Sequence, residues 1–269
     1  MPTAEHDGVT LDYDVAGPRD APTVVFVPGL GYGRWMWYWQ RERLRDEYEV
    51  LRLDNRGAGA SDAPPGPYAM AQMAGDLEAV LADAGRSGVH LVGASMGGMI
   101  AQRYALEYDR VRSLSLLCTH HGGDEIEPIP EETRERMFSV PADADERAAI
   151  RWKMEPAVSS GWMERNEGTV ERIVDWRLES DASEAAREAQ AAAVLDFDVS
   201  DRIDDLAVPT LVMHGSEDRV VPTANGERLH EALPDSEFAR FDGGHLFFIE
   251  SPDAVTDRLR DHLEANAGA

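Results

Sequence analysis

Short β-branched runs alternate with amphipathic helical segments along the first 118 residues, and this restricts the chain to a sheet flanked by helices. Thr23 to Val27 is a short β-branched run ending at Pro28-Gly29, the pattern of a buried strand entering a loop. Tyr48 to Leu53, Val89 to Val92 and Val111 to Cys118 read the same way, whereas Val9 to Val15 alternates apolar and polar residues like an edge strand. Met70, Met73, Ala74, Leu77, Val80, Leu81 and Ala84 recur at helical spacing, and Met96 to Tyr108 predicts a second helix. The fold class expected from this order is α/β, a mostly parallel sheet with helices on both faces. From Thr119 to Ser200 strand signals vanish and Glu, Ala and Arg dominate in helical segments; strands and helices then alternate again from Val208 to Glu264. The expected division is a core of residues 1–118 and 201–269 with a helical insertion of residues 119–200.

Within that order, Gly93-Ala94-Ser95-Met96-Gly97 falls between a predicted strand and a predicted helix. A sharp turn there forces strained backbone angles on the serine and lifts its hydroxyl clear of the sheet, provided its neighbours two positions away are small. A serine hydroxyl is a weak nucleophile and needs a base, which needs an orienting carboxylate, in the chain order Ser, acid, His. Asp218, in the loop after the predicted strand Val208 to Met213, is the expected acid, with Glu217, Asp124 and Glu125 as alternatives. His245, in Gly243-Gly244-His245 after the last strand, is the expected base.

Acyl transfer also needs two donors for an oxyanion, and the backbone N–H groups of Leu30 and Met96 stand at the expected places. Gly29, Trp35, Trp37 and His121 are candidate pocket residues, core packing being the competing role for the aromatic run. His6, His230 and His262 are expected at the surface, and His214 reads as structural at a strand end. Adjacent His120 and His121 point to opposite sides of an extended chain, a poor pair for one metal, and a single cysteine, Cys118, excludes a disulfide framework and a Cys-based zinc site. The chemistry read from these residues requires no metal and no cofactor.

Pro28-Gly29-Leu30-Gly31, Asp54 to Asp62, the Ser95 turn, His214 to Asp218 and Gly244-His245 together resemble the α/β-hydrolase fold family, in the family's order over nearly the whole chain. The resemblance implies a helical cap over the site, matching residues 119–200, and a structural role for the Asp54 to Asp62 loop. Ser95 to Gln102 is most similar to the branch of 3-oxoadipate enol-lactonases and small esterases. Haloalkane dehalogenases and epoxide hydrolases of this fold carry Asp where this chain has Ser95. The expected function is therefore a serine hydrolase acting on a small-molecule carboxylic ester or lactone. C–C bond hydrolysis and cofactor-free perhydrolysis share the same residues, and a ligand receptor that retained the pocket is the non-enzymatic alternative. A carboxylated substrate would need a cation, for which Arg134, Arg136, Arg147, Arg151 and Lys153 are candidates.

The 51 acidic residues outnumber the 26 basic ones, a net charge of −25, and Lys153 is the only lysine. Such a charge disfavours nucleic acid and anionic membranes as partners, both being polyanions. Met1 to Thr10 lacks a basic stretch leading into an apolar one, and there is no apolar run of membrane-spanning length, so a cytoplasmic protein is expected. Oligomeric state is not legible in the sequence. Acidic composition with almost no lysine suits a halophile, although a GC-rich genome also favours arginine. At molar salt the Debye length falls to about 3 Å, and self-repulsion among the carboxylates is screened. Thermal stability and turnover should therefore both rise from dilute buffer to molar KCl, and a flat or falling response in either would exclude the halophilic reading.

Overall fold

The computed structural model describes residues 1–268 and, within them, every side chain except that of Phe138; Ala269, the last residue of the expected core segment, lies outside the described residues. One sheet contains β1 (Thr3–His6), β2 (Val9–Ala16), β3 (Thr23–Val27), β4 (Glu49–Leu53), β5 (Val89–Ala94), β6 (Val111–Leu117), β7 (Thr210–Gly215) and β8 (Ser236–Phe241). Their order across the sheet is β1-β2-β4-β3-β5-β6-β7-β8. The β1–β2 and β2–β4 pairs are antiparallel and every other pair is parallel. Three helices accompany the first half: α1 (Tyr38–Leu44), α2 (Met70–Asp83) and α3 (Met96–Glu107). Five lie between β6 and β7: α4 (Glu131–Phe138), α5 (Glu146–Met154), α6 (Trp162–Arg165), α7 (Glu167–Ser180) and α8 (Glu184–Leu195). The chain closes with α9 (Thr223–Ala232), α10 (Phe247–Glu250) and α11 (Pro252–Ala265).

The strands explain their own composition. In β3 all five residues are buried because both faces of the sheet are covered. Val25 and Val27 join one core with α2, α3 and α9, while Val24 and Phe26 join the other with Trp37, α10 and α11. Successive side chains point to opposite faces, so an uninterrupted apolar run feeds two cores at once. The inserted segment contributes to both: Met154, Trp162, Ile173 and Val174 enter the core of Phe26, and Ala189, Ala193 and, just past α8, Phe197 enter that of Val25.

Two expectations are corrected here. Val9–Ala16 is not the edge of the sheet, because β1 pairs outside it with His6 opposite Val9. The signal for that hairpin is Asp7-Gly8, whose positive φ angles of 51° and 76° fit a tight two-residue turn, but Thr3–His6 buries only Ala4 and so carries almost no hydrophobic pattern. His262, expected at the surface, is buried on the core face of α11. Among the described residues no helix is long and apolar enough to cross a membrane.

Trp37 also departs from its expected place. It is wholly buried, with its ring centroid 4.8 Å from that of Phe26 and 5.0 Å from that of Phe248, and works as core under β3. Removing a large buried aromatic loses its burial and leaves a void. Trp37→Ala should accordingly cost about 3–5 kcal/mol in denaturant unfolding. A change in substrate preference with stability intact would instead return Trp37 to the pocket.

Candidate active site

Ser95 stands at the end of β5, immediately before α3, with φ 54° and ψ −121°. L-residues other than glycine rarely occupy positive φ, so the surrounding structure has to impose it. The imposition is steric. A Cβ on Gly93 would lie 2.2 Å from the Gly97 carbonyl oxygen, and one on Gly97 would lie 2.2 Å from that of Val27. With only hydrogen in both places, α3 closes onto the ends of β3 and β5 and the half-buried serine is pushed outward. Its main chain is held on both sides: its N–H donates to the Leu117 carbonyl (2.9 Å), and its carbonyl accepts from Gly98 N–H and the Thr119 hydroxyl, each at 2.9 Å.

Asp218 and His245 meet in the loops that follow β7 and β8. The imidazole Nδ1 of His245 lies 2.8 Å from Oδ2 of Asp218, leaving Nε2 free of the carboxylate. Oδ1 accepts the N–H groups of Val220 and Val221, both at 2.8 Å, and His214 Nε2 stands 3.2 Å from Oδ2 while also lying 2.8 Å from the Val221 carbonyl. Burial by itself would push the carboxyl of Asp218 up. The charge of His245 and hydrogen bonds from His214 and His245 outweigh it and hold the group well below the usual carboxylate range. Burial likewise disfavours a charged His245, but the adjacent carboxylate wins and raises the imidazole well above its ordinary value of 6.5. The alternative acids Glu217, Asp124 and Glu125 are exposed.

Cys118, the chain's single cysteine, sits inside this cluster. Its sulfur, a carboxylate oxygen of Asp218 and a ring nitrogen of His245 all lie within 4.8 Å of one another. It has φ 43°, is fully buried, and directly follows Leu117, whose carbonyl holds the Ser95 N–H. Burial pushes the thiol up, which keeps it neutral. These three groups could ligate a cation, but it would have to displace the proton shared by Asp218 and His245.

The loop after β3 supplies the third part. Gly29 comes so near Ser95 that a Cβ on it would lie 3.5 Å from the serine Cβ. The Asn55 amide donates to the Pro28 carbonyl (2.9 Å), Asp54 accepts the Arg34 N–H (2.7 Å), and the buried Gln190 of α8 accepts the Gly31 N–H (2.7 Å) while donating to the Arg56 carbonyl (2.8 Å). Arg56 in turn grips Asp76 with two bonds of 2.6 Å. Residues 54–62 thus brace the loop from below and Gln190 from above. Among the described residues, neither the Leu30 nor the Met96 N–H donates to a protein acceptor, while their neighbours Gly29 and Gly31 do. A half-buried serine hydroxyl, an imidazole anchored by a buried carboxylate and two uncommitted N–H groups can together carry nucleophilic attack on a carbonyl.

Trp35 lies elsewhere. Its indole N–H donates to Asp181 (3.1 Å), and it lines a cleft of about 500 Å3 with Arg34, Tyr38, Asp54 and Trp176, which neither Ser95 nor His245 borders. His121 is half-buried, with its carbonyl accepting the Val199 N–H (2.9 Å). Of the expected cations, Arg134 pairs with Glu131, Arg136 with Glu155, Arg147 with Glu171 and Asp175, and Arg151 with Glu167 and Glu171. No sequence signal marks Gln190 or Cys118, because each depends on segments far apart in the chain, whereas the His214 contact is made within one turn of chain and depends on how residues 214–221 bend.

This fold is that of the α/β hydrolases. The alpha/beta hydrolase fold family matches residues 22–252, and the chain belongs to that family and is a hydrolase. It is 29% identical over 265 residues to the "Putative carbamate hydrolase RutD" of Klebsiella pneumoniae, covering 91% of this chain and 92% of that protein. To 3-oxoadipate enol-lactonase 2 of Acinetobacter baylyi it is 28% identical over 250 residues, covering 91% and 90%. The enol-lactonase structure from Burkholderia xenovorans superposes with a TM-score of 0.84 at 28% identity, covering 98% of this chain and all of that one.

The buried ion pair makes a measurable prediction. In the folded protein His245 should titrate above 6.5, because the carboxylate of Asp218 favours the imidazolium. Asp218→Asn removes that charge and leaves burial, which favours the neutral ring, so the midpoint should move below 6.5. Imidazole NMR shifts followed against pH read both values; an unchanged midpoint in the variant would mean that Asp218 does not set it.

Proposed function

We propose that this hydrolase cleaves a carboxylic ester or lactone through an acyl-enzyme on Ser95. The observation carrying the reading is the Asp218–His245 hydrogen bond behind a serine held at positive φ. Ser95 Oγ attacks the carbonyl carbon as His245 Nε2 takes its proton, and the carbonyl oxygen, now negative, accepts from the Leu30 and Met96 N–H groups. The tetrahedral intermediate collapses as His245 returns the proton to the departing alkoxide; in a lactone that alkoxide stays tethered to the acyl group. Water then attacks the acyl-enzyme with His245 again as base, releasing the acid and restoring Ser95. Asp218 keeps the Nδ1 proton in place and stabilises the imidazolium formed in each half-reaction. His214, Val220 and Val221 act one step back by holding Asp218.

Residues 119–200 serve as the cap that closes the acyl side of the site, and the free enzyme works in salt-rich cytoplasm, where the −25 surface is screened. The named reactions of the enol-lactonase and carbamate hydrolase relatives support attack on a carbonyl as the shared step. A fluorophosphonate probe should label Ser95 stoichiometrically, with the adduct located by peptide mass spectrometry. Ser95→Ala should abolish labelling and lower kcat on a short ester about 10^4- to 10^6-fold while leaving the melting temperature near that of the parent. Undiminished esterase turnover in Ser95→Ala would refute the mechanism.

A further inference from the structure

Gly31, next to the candidate donor Leu30, is held on both sides by the insertion between β6 and β7. Its N–H donates to Oε1 of Gln190 in α8 (2.7 Å), and its carbonyl accepts the N–H of Ala182, just ahead of α8 (2.9 Å). Gln190 is wholly buried, and its Nε2 donates to the Arg56 carbonyl (2.8 Å). Only one orientation of the amide serves both partners, since Gly31 offers a donor and Arg56 an acceptor. Two main-chain bonds fasten the same segment to the core: Gly59 N–H donates to the Ser180 carbonyl (2.8 Å) and Tyr68 N–H to the Ala189 carbonyl (3.1 Å).

Gly31 acts on Leu30 through the turn they share. The Tyr32 N–H donates to the Gly29 carbonyl (3.3 Å) and closes a turn over residues 29–32. Gly31, the third residue, has φ 77°, matching the value of about 80° that a type II turn requires there. The C=O and N–H of one trans peptide unit point in opposite directions. With the Gly29 carbonyl turned in toward Tyr32, the Leu30 N–H of the same unit faces out of the turn. The Gly29 N–H is taken by the Met36 sulfur (3.3 Å) and the Gly31 N–H by Gln190, so among the described residues Leu30 alone of the three lacks a protein acceptor. A four-residue turn can also close as type I, with the peptide unit between its second and third residues flipped and negative φ at the third. Here that flip would pull the Gly31 N–H off Gln190 and strand a buried oxygen without a donor.

We infer that Gln190 is a positioning residue for the oxyanion: it holds the turn at residues 29–32 in the form that directs the Leu30 N–H, so the donor pair is complete only while α8 is docked on the core. This rests on the reading of Ser95 as nucleophile and Leu30 as donor. The insertion then acts on the chemical step as well as covering the site. Negative charge develops on the carbonyl oxygen only as Ser95 attacks, so loss of Gln190 should lower kcat and leave KM near the parent's.

Gln190→Met keeps the length of the side chain and removes both of its bonds. On p-nitrophenyl valerate its kcat, counted per serine titrated with a fluorophosphonate, should fall about 10- to 100-fold at nearly constant KM. Butylboronic acid, whose tetrahedral adduct on Ser95 places an oxygen where the oxyanion forms, should bind the variant more weakly by a similar factor. Gln190→Glu keeps an oxygen for the Gly31 N–H in either protonation state and should recover part of both losses. Gln190→Asn, with its amide one methylene short of Gly31, should repeat both losses while the buried position stays polar, and it decides the matter if Gln190→Met does not fold. A lowered melting temperature with parental kcat per titrated serine and parental boronate affinity would mean that Gln190 only supports the fold, and overturns the inference. A loss carried by KM with boronate affinity unchanged overturns it too, by placing Gln190 in ground-state binding. Absence of labelling in the parent overturns the serine mechanism and this role with it, whereas normal labelling with kcat unchanged in the variants overturns this role alone.

Discussion

No side chain fits at residues 93 and 97, and the candidate site depends on that prohibition. With hydrogen in both places, the Gly97 carbonyl of α3 settles against Gly93 in β5 and Gly97 against the Val27 carbonyl of β3, where an added Cβ would lie 2.2 Å from each oxygen. The chain can make that turn only by placing Ser95 at positive φ, where its hydroxyl leaves the sheet. The same closure starts α3 at Met96, whose N–H has no helical acceptor, and brings Gly29 against the serine. Two uncommitted donors and a raised hydroxyl are thus consequences of one steric fact.

Charge is arranged on a different principle at each depth. On the surface, acidic residues are numerous and individually weak in salt. Asp218 is buried, and its ionised form survives because His245, His214, Val220 and Val221 surround both oxygens with donors. Arg56 and Asp76 are likewise buried but paired through two bonds, which turns an expensive pair of charges into a fixed brace for the loop after β3.

The strands and the helices α2, α3, α9 and α11 were readable because each buries a face of regular period against one of two cores. β1 escaped notice since it buries a single alanine, although its Asp7-Gly8 turn is a hairpin signal that composition obscured. Trp37 and His262 were misplaced for a related reason: residue type indicates only an average environment, and partners such as Phe26 and Phe248 that fix the actual one are remote in sequence. Cys118 was invisible as part of the site because its neighbours come from strand ends about a hundred residues further along the chain.

The sequence by itself determined the α/β class, the place of the Ser95 turn and the order of serine, acid and histidine, because short-range periodicity and the steric needs of a tight turn are written in consecutive residues. Only the tertiary structure decided that Asp218 rather than Glu217 meets His245, that Gln190 clamps the loop at Gly31, and that the expected cations Arg134, Arg136, Arg147 and Arg151 pair with carboxylates. These are pairings between segments separated by tens to more than a hundred residues. Their distances follow from how β6, β7 and the inserted helices pack on the sheet, information that no local pattern contains.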